Sequence, residues 1–492
     1  MRRRERHCAP HRRSIAGVAP VAAVTALLLI PLLLPACGRA PEEEGTAGPP
    51  PGAQRAAPRT VAIIGIDGLE WEILRPLLAR GELPTIASLV ERGTSGWLDT
   101  MEPTLSPAIW TSVATGKLPA KHGIQHFAMP DGPGHIRLFD SRDRQTKALW
   151  NMFSERRRST WVIGWWMTFP AEEVFGLMVA QTNAAAQFDT RGGRAIWRGT
   201  LVPGLAGQVH PPRLQEAVLT FAQAAAEEAP ARAVELFGPF EHPLSELTRR
   251  LWDNSLWAFR ADLVNRRVAL ETLRAEPAPD LFMLYFGGTD VVAHRFFRHR
   301  QPGAFKHPPP AVELADFGSL IDDYYRWIDG VLGEVITALG TGADVIVLSD
   351  HGVHAVNLDQ EFSPDDPPED VNSGHHEDAP AGVLIAAGPR ISSAGRTGAG
   401  AATIDLAALP HLGNVLDIAP TVLALAGLPV GEDMDGSVME DLLAPGLLAR
   451  NPLRRIASWD ASGVERPRAG PDLPDEASKE RIEQLRALGY IE

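Results

Sequence analysis

The sequence has very little cysteine: only Cys8 and Cys37 occur in 492 residues, both near the N-terminus. The rest of the chain therefore has no disulfide framework and no thiolate metal site, so carboxylate, imidazole or hydroxyl groups must bind any metal. The chain also lacks a basic charge balance. Its formal charge of −14 comprises +5 within residues 1–36 and −19 over the remainder. An acidic body argues against binding to a nucleic-acid duplex, which requires a basic surface.

The N-terminus has the pattern of a targeting segment. Six arginines precede an apolar run over residues 18–34, which leads into Leu-Pro-Ala-Cys37 and resembles a bacterial lipobox. We therefore predict a signal peptide over residues 1–36 and lipidation of Cys37, giving an exported, membrane-anchored lipoprotein in the periplasm or at the cell surface. An uncleaved signal anchor is the alternative. Residues 37–59 are rich in Pro, Gly, Ala and Glu and predict a flexible tether.

Apolar runs alternate with helical patterns from residue 60 onward. Runs typical of buried strands occur at 60–66, 161–164, 176–180, 280–286, 343–349 and 381–387. Helical patterns occur at 85–92, 107–115, 146–156 and 311–339. This alternation predicts an α/β fold, with a central, mostly parallel sheet flanked by helices and a site at the carboxyl ends of its strands.

We assign residues 60–447 to one domain. Within it, residues 182–279 change to long amphipathic helices, which we interpret as a helical insertion that caps the site. Ordinary helical packing on the sheet is the alternative. Residues 448–492 are rich in Pro and Arg and are predicted to form a C-terminal tail.

Acidic residues end three of the predicted strands. Asp67 follows the first apolar run, and Asp350 with His351 follows the run at 343–349. Neighbouring oxygen and nitrogen ligands at a strand end suit a divalent ion. For Asp67 alone, capping of the next helix is the structural alternative.

Two further groups of residues have ligand chemistry. Asp290 follows the apolar run at 280–286, and His294 comes four residues later. On a helix both side chains would face the same way and could bind one metal. His375 and His376 lie in a loop before another strand. Paired surface histidines are the alternative interpretation of that loop.

Ser106 begins a helical pattern with clear boundaries. Pro107 follows it, and Gly116 lies just past the end, so the pattern predicts Ser106 as the helix N-cap. A helix N-terminus also favours an alkoxide and presents amides to a phosphate. Capping and a nucleophilic role are therefore compatible.

The order of these motifs resembles the type I phosphodiesterase/nucleotide pyrophosphatase branch of the alkaline phosphatase superfamily. The resemblance covers about residues 61–443 and rests on Ile-Gly-Ile-Asp67-Gly, Ser106-Pro, His122-Gly-Ile, Asp290-x-x-x-His294, Asp350-His351-Gly and Gly374-x-His376. It implies an alkaline-phosphatase-like fold and a metal-dependent phosphoester hydrolase with a small-molecule or lipid-like substrate. His122 matches a family position that looks structural, and the Gly-x-His pattern selects His376 over His375.

The resemblance also implies two divalent metal ions. Asp290, His294 and His376 would hold one of them. Asp67, Asp350, His351 and the oxygen of Ser106 would hold the other. One ion would lower the pKa of Ser106 for attack on phosphorus, and the other would bind the leaving oxygen or activate water. Asp and His ligation without sulfur suits Zn²⁺, with Mn²⁺ as a substitute.

Two departures from related patterns bear on the substrate. Sulfatases have the pattern Cys/Ser-x-Pro-x-Arg at the nucleophile. Here Trp110 occupies the position of the arginine, which argues against a sulfatase. Nucleotide pyrophosphatases usually have Asn three residues after His-Gly-Ile, where this chain has Phe127. We therefore expect aryl or lipid-like phosphoesters to be preferred over nucleotides. Three tryptophans of the insertion are expected to replace the hydrogen-bond donor of the missing Asn and to form an apolar wall for an organic group of the substrate: Trp197, Trp252 and Trp257.

Two alternatives to hydrolysis stay open. A phospho-group transferase, acting on a lipid or glycan acceptor, would use the same residues. A non-catalytic periplasmic binding protein would keep the fold, but it would not need all seven coordinating positions.

Overall fold

Strands alternate with helices along most of the chain. The computed structural model describes residues 60–130, 136–181, 199–356, 358–366, 371–378, 380–393 and 400–463. The strands are β1 (Val61–Ile66), β2 (Thr94–Asp99), β3 (Ala128–Pro130), β4 (Ile136–Leu138), β5 (Thr160–Ile163), β6 (Gly176–Val179), β7 (Val209–His210), β8 (Leu281–Phe286), β9 (Asp344–Leu348), β10 (His354–Ala355), β11 (Gly374–His375), β12 (Gly382–Ala387), β13 (His411–Asn414), β14 (Val430–Gly431) and β15 (Arg455–Ile456). The helices are α1 (Trp71–Ala79), α2 (Pro84–Arg92), α3 (Ser106–Thr115), α4 (Pro119–His122), α5 (Leu149–Glu155), α6 (Gln215–Phe237), α7 (Glu246–Asp253), α8 (Leu256–Ala275), α9 (Gly288–Arg300), α10 (Ala311–Phe317), α11 (Leu320–Leu339), α12 (Ile418–Leu425) and α13 (Leu447–Arg450). The predicted signal peptide, Cys37, the tether, Trp197 and the chain beyond 463 lie outside the described residues.

One large sheet organises the described residues. Its nine strands lie in the order β13-β2-β12-β9-β1-β8-β5-β6-β7. The strands β9, β1, β8, β5 and β6 are parallel neighbours, whereas β12 and the edge strand β7 run antiparallel to theirs. The predicted α/β fold with a mostly parallel central sheet is thus confirmed.

Both faces of the sheet are covered, which explains the unbroken apolar runs of its central strands. Successive side chains of a strand point to opposite faces, and β1 shows this directly. Ala62, Ile64 and Ile66 join the core under α1, α2, α6, α8 and α11. Val61 and Ile63 join the opposite core, under α3, α5 and α12.

The strand directions bring the candidate residues to one edge of the sheet. The carboxyl ends of β9, β1 and β8 are adjacent, and they lead to Asp350, Asp67 and α9 respectively. Because β12 is antiparallel to β9, its first residues, shortly after His376, lie at the same edge. Strand β2 is in turn antiparallel to β12, so it also ends there, a few residues before Ser106.

The described part of the predicted insertion, residues 199–279, packs on the sheet. Strand β7 extends the sheet at its edge, while α6 and α8 contribute buried side chains such as Ala222 and Val264 to the core that they share with β1 and β8. These described residues therefore form a helical layer packed on the sheet. The aromatic contacts of Trp252 are with Phe237, Phe240 and Phe317.

Several predicted boundaries differ from the structure. The helix predicted over 311–339 is two helices, α10 and α11, separated at Gly318 and Ser319. The segment after Leu447 continues the fold through β15, which pairs with β14, and through the buried Trp459. No helix in the described ranges is both long and apolar enough to span a membrane.

Candidate metal centre

Asp67 lies in the tight turn that follows β1. Gly68 makes this turn at a positive φ of 64°, where a side chain would also come within 3.1 Å of the Asp290 backbone. Trp110 Nε1 and the Tyr285 hydroxyl donate to Asp67 Oδ2 at 3.1 and 2.5 Å. These two donors orient the carboxylate, so that its other oxygen, Oδ1, faces the neighbouring ligand candidates.

Asp350 and His351 follow β9 and are completely buried. The His351 ring is oriented by a hydrogen bond from its Nδ1 to the Gly352 carbonyl at 3.0 Å. Its Nε2 therefore has an available lone pair, and it lies 3.3 Å from both Asp67 Oδ1 and Asp350 Oδ2. A ring nitrogen held in this way is the usual arrangement of a metal-binding histidine.

Helix α9 places Asp290 and His294 on one face, one turn apart. His294 Nε2 lies 3.3 Å from Asp290 Oδ1, and His294 Nδ1 binds the Gly374 carbonyl at 2.8 Å. This pair therefore has the same design as the other half of the centre, with one imidazole nitrogen fixed by a backbone carbonyl and the other directed at a carboxylate.

His376 completes the cluster, and Thr104 holds it by two hydrogen bonds. The threonine hydroxyl donates to the His376 carbonyl at 2.9 Å and accepts from the ring Nδ1 at 3.3 Å. The His376 ring centroid lies 4.3 Å from that of His351. His375 instead belongs to β11, and its Nδ1 accepts from Glu377 N at 3.0 Å.

The cluster fits a pair of divalent ions. Two groups of three residues each bring their ligand atoms within 4.8 Å of one another. One group is Asp290, His351 and His376, and the other is Asp67, Asp350 and His351. Four of these atoms are buried and make no hydrogen bond of sound geometry: Asp67 Oδ1, Asp290 Oδ1, Asp350 Oδ2 and His351 Nε2. Buried carboxylate oxygens left unpaired are costly, and cations would satisfy them. His351 belongs to both groups, whereas His294 reaches the centre through Asp290.

The pKa shifts of the clustered aspartates and of His376 also indicate that a positive charge would be stabilised here. Burial, and then the charge of a neighbouring carboxylate, raises the pKa of Asp67 and of Asp350 above its usual range. Burial also acts to raise the pKa of Asp290, but His294, His376 and His351 together outweigh it and lower that pKa overall. Burial, assisted by His351 and His294, lowers the pKa of His376 to about 2, so its ring is neutral and able to bind a metal.

Ser106 is the first residue of α3 and is buried. The prediction that it is the N-cap is wrong: Leu105 occupies that position, and no side chain caps the helix. The hydroxyl is therefore not used in capping. Thr104, two residues earlier, holds His376, and Trp110, one helical turn later, holds Asp67. In the sequence, Ser106 thus lies between a residue that contacts the group of Asp290 and His376 and one that contacts the group of Asp67 and Asp350.

A model of the type I phosphodiesterase/nucleotide pyrophosphatase family matches residues 61–411. The chain belongs to this family. It is accordingly a phosphoric ester hydrolase, and the resemblance drawn from the motifs is confirmed. The matched region includes all seven candidate ligand positions.

Solved structures and curated proteins add little detail to this family assignment. Human ectonucleotide pyrophosphatase/phosphodiesterase 5 is 13% identical, with a TM-score of 0.45 over 78% of this chain and 100% of that one. A 2-O GAG sulfatase is 14% identical, with a TM-score of 0.42 over 78% of this chain and 73% of that one. No curated protein matches the sequence significantly.

Several residues that shape this phosphodiesterase-family site were not predicted from the sequence. Trp110 had a detectable signal, because it lies four residues after Ser106 and so on the same helical face. Tyr285 had a weaker one, since strand alternation places it on the face of β8 opposite to Phe286. Thr104, which binds the His376 carbonyl, and Glu70, which accepts from Val353 N at 3.1 Å shortly after His351, carry no such signal. They act through contacts between segments far apart in the chain.

His122 has a structural role, as the family pattern implied. Its Nε2 lies 2.9 Å from Ser112 Oγ, and its Nδ1 accepts from Ile124 N at 3.2 Å. Burial and the charge of Arg144 lower its pKa to about 3, so the ring is neutral. It holds the loop after α4 against α3.

Proposed function

We propose that the chain hydrolyses phosphate esters with Ser106 as the nucleophile and two divalent metal ions, Zn²⁺ or Mn²⁺, as cofactors. The four buried, unpaired ligand atoms at the sheet edge carry this proposal. Asp67, Asp350, His351 and Ser106 would hold one ion. The other ion would be held by Asp290, His294 and His376.

The protein's own groups have distinct parts in the proposed reaction. Bound divalent ions would supply Lewis-acid activation of the serine hydroxyl and of the phosphate. Ser106 Oγ would attack phosphorus as the ester oxygen leaves, and water would then release the phosphate from the serine. Because Ser106 is the first residue of α3, the phosphate would lie at the N-terminus of that helix, where the positive end of the helix dipole favours negative charge. Trp110 and Tyr285 keep Asp67 Oδ1 directed at the centre.

Two separate experiments test this mechanism: removal of the metal and removal of the Ser106 hydroxyl. Chelator treatment should abolish hydrolysis of an aryl phosphodiester, and added Zn²⁺ or Mn²⁺ should restore it. Ser106→Ala should abolish turnover while Ser106→Thr retains part of it, because a hydroxyl remains beside the metal. Since Ser106 does not cap α3, Ser106→Ala should shift the free energy of unfolding by less than the roughly 1 kcal/mol of a lost N-cap. Full activity of metal-free protein or of Ser106→Ala would refute the mechanism.

We further propose that the substrate carries an aryl or lipid-like group. Phe127 packs edge-on against Trp166 at 5.8 Å, and Trp166 packs against Tyr285 at 6.3 Å. Because the Tyr285 hydroxyl binds Asp67, this aromatic cluster adjoins the metal centre. We propose that this cluster forms an apolar wall for the organic group of the substrate.

Comparison of kcat/KM for an aryl phosphodiester and a nucleoside 5′-triphosphate tests the substrate class. We expect the aryl ester to be preferred, because Phe127 has no hydrogen-bond donor for a phosphate oxygen. Loss of such a donor typically costs 10²–10³ in rate. Phe127→Asn is the informative variant and should shift the ratio towards the nucleotide. A wild-type preference of more than tenfold for the nucleotide would contradict the assignment.

A further inference from the structure

The first turn of α9 is held by a buried carboxylate from another helix. Asp262 of α8 is only 1% exposed, and its two oxygens accept from Gly287 N and Gly288 N, each at 2.9 Å. Tyr324 of α11 donates its hydroxyl to the same carboxylate at 2.8 Å. The first N–H groups of a helix have no partner within the helix, and the N-cap residue Gly287 has no side chain to supply one. Asp262 takes that role from a distance.

This contact leaves no free space around Gly288. A Cβ atom at this position would lie 1.7 Å from the Tyr324 hydroxyl and 2.7 Å from Asp262 Oδ2. The helix therefore begins directly against the Asp262–Tyr324 pair. Asp290 is two residues further on and His294 is one turn beyond it. The placement of both ligand candidates thus depends on where this pair seats the helix.

The next residue of α11, Tyr325, makes a separate contact at the other half of the centre. Its hydroxyl donates to the Gly68 carbonyl at 3.3 Å and accepts from Glu70 N at 3.0 Å. Both groups belong to the turn that follows Asp67. Helix α11 therefore reaches the two halves of the centre through two consecutive tyrosines whose hydroxyls share no partner.

We propose that Asp262 and Tyr324 are positioning residues for the metal ligands on α9, and that Tyr325 independently positions Asp67. The inference rests on the proposed two-metal function. Residues that orient metal ligands typically change metal affinity by about 10–100-fold when they are altered. The two tyrosine contacts share no partner, but the halves of the centre are joined by His351 and by the Thr289 hydroxyl of α9, which donates to the Asp67 carbonyl. Removal of one tyrosine contact should therefore weaken mainly the binding of the ion in its own half, and the other ion to a smaller extent.

Stepwise Zn²⁺ binding to the metal-free, full-length protein tests the proposal, with a chromophoric chelator as competitor. Asp290→Asn and Asp67→Asn, which each remove one ligand, assign the two dissociation constants to the two halves of the centre. Tyr324→Phe and Asp262→Asn should then raise the constant of the α9 half by about 10–100-fold. The double variant should be no weaker than Asp262→Asn alone, because the two side chains act as one unit.

Two matched controls separate positioning from general destabilisation. Tyr325→Phe also removes one tyrosine hydroxyl, from the next residue of α11. It should raise the Zn²⁺ dissociation constant of the Asp67 half. Arg266→Gln breaks an ion pair with Glu334 at 2.7 Å, between the same two helices α8 and α11, and should change neither constant. Unchanged constants in Tyr324→Phe and Asp262→Asn would overturn the proposal. If both tyrosine variants raised the same constant more than the other, that would overturn it too.

Hydrogen exchange in metal-free protein distinguishes failure of this inference from failure of the proposed function. If wild-type protein binds neither Zn²⁺ nor Mn²⁺, the two-metal function is refuted. The positioning contact is then judged by amide exchange of the peptide spanning residues 287–294. That exchange should be faster in Tyr324→Phe than in Tyr325→Phe, and equal rates would overturn the inference. Tyr324→Phe alone decides the question if Asp262→Asn does not fold.

Discussion

At the level of single residues, the second ring nitrogen determines which histidines are available to a metal. In His294 and His351, Nδ1 binds a backbone carbonyl, and in His376 it binds the Thr104 hydroxyl. In His294 and His351 this leaves Nε2 facing a carboxylate oxygen at 3.3 Å, which is the arrangement of a metal-binding imidazole. The motif order indicated these three residues, whereas the groups that orient them come from distant segments and have no local pattern.

His375 and His376 provide the sharpest test at this scale. Metal content after gel filtration should be strongly reduced in His376→Ala, since this residue belongs to a buried cluster of ligand atoms. The neighbouring His375→Ala is the matched control and should retain its metal, because His375 Nδ1 is engaged by Glu377 N. A larger loss of metal from His375→Ala would reverse the assignment.

Glu70 should make stability depend on pH. Its oxygens accept from Glu72 N and Val353 N, and burial raises its pKa from 4.5 to about 7 against these hydrogen bonds. Because the unfolded chain loses this proton first, the contribution of Glu70 to stability falls as pH rises from about 4.5 to 7. At about 1.4 kcal/mol per pKa unit, the loss amounts to roughly 3 kcal/mol.

Urea unfolding of metal-free Glu70→Gln at several pH values measures this contribution. The glutamine does not titrate, so the variant should show a smaller decrease in unfolding free energy across that window than the wild type. Glu72→Gln is the matched control, since it removes an exposed charge from the helix that Glu70 caps. It should keep most of the wild-type slope, because its charge is only a lesser cause of the raised Glu70 pKa. Equal slopes for all three proteins would show that Glu70 does not titrate in this range.

At the level of elements, the sequence predicted strands better than helix ends. The central strands were predictable because burial on both faces produces unbroken apolar runs, as in β1, β8 and β9. Breaks such as Gly318–Ser319, between α10 and α11, lie within helical periodicity and left no clear signal. Short elements are also set by their partners: β15 is two residues long and exists through its pairing with β14.

The segment containing β15 should contribute substantially to stability, although the sequence assigned it to a tail. Trp459 is 3% exposed, donates to the Pro429 carbonyl at 3.1 Å and lies 5.1 Å from the Arg156 guanidinium. Trp459→Ala should therefore lower the free energy of unfolding by roughly 3–5 kcal/mol, as is typical of buried aromatic residues. Phe175→Ala removes a ring that is 50% exposed, and it should cost far less. Similar midpoints in denaturant for the two variants would contradict this role.

At the level of the whole molecule, sheet topology assembles the site. Asp67, Asp290 and Asp350 are separated by more than two hundred residues in places, but they meet because β9, β1 and β8 are neighbouring parallel strands. The rule that such sheets place sites at their carboxyl ends made this predictable. The packing of residues 199–279 was not predictable, because an amphipathic helix shows which face is buried and not what covers it. The Asp262 contact depends on that packing.

The location of the protein is the remaining prediction at this scale. Cys37 follows an arginine-rich segment and an apolar run, so we propose that it is lipidated and anchors an exported enzyme to a membrane. The acidic remainder of the chain, at −19, would be repelled by anionic lipid headgroups, which makes a covalent anchor the main source of attachment. Cys37→Ser should then yield soluble or unprocessed protein in membrane fractionation, while wild-type protein sediments with membranes. Cys8→Ser, which lies before the apolar run, is the matched control and should fractionate like the wild type. A correctly processed Cys37→Ser protein that still sediments with membranes would mean that another part of the molecule binds the membrane.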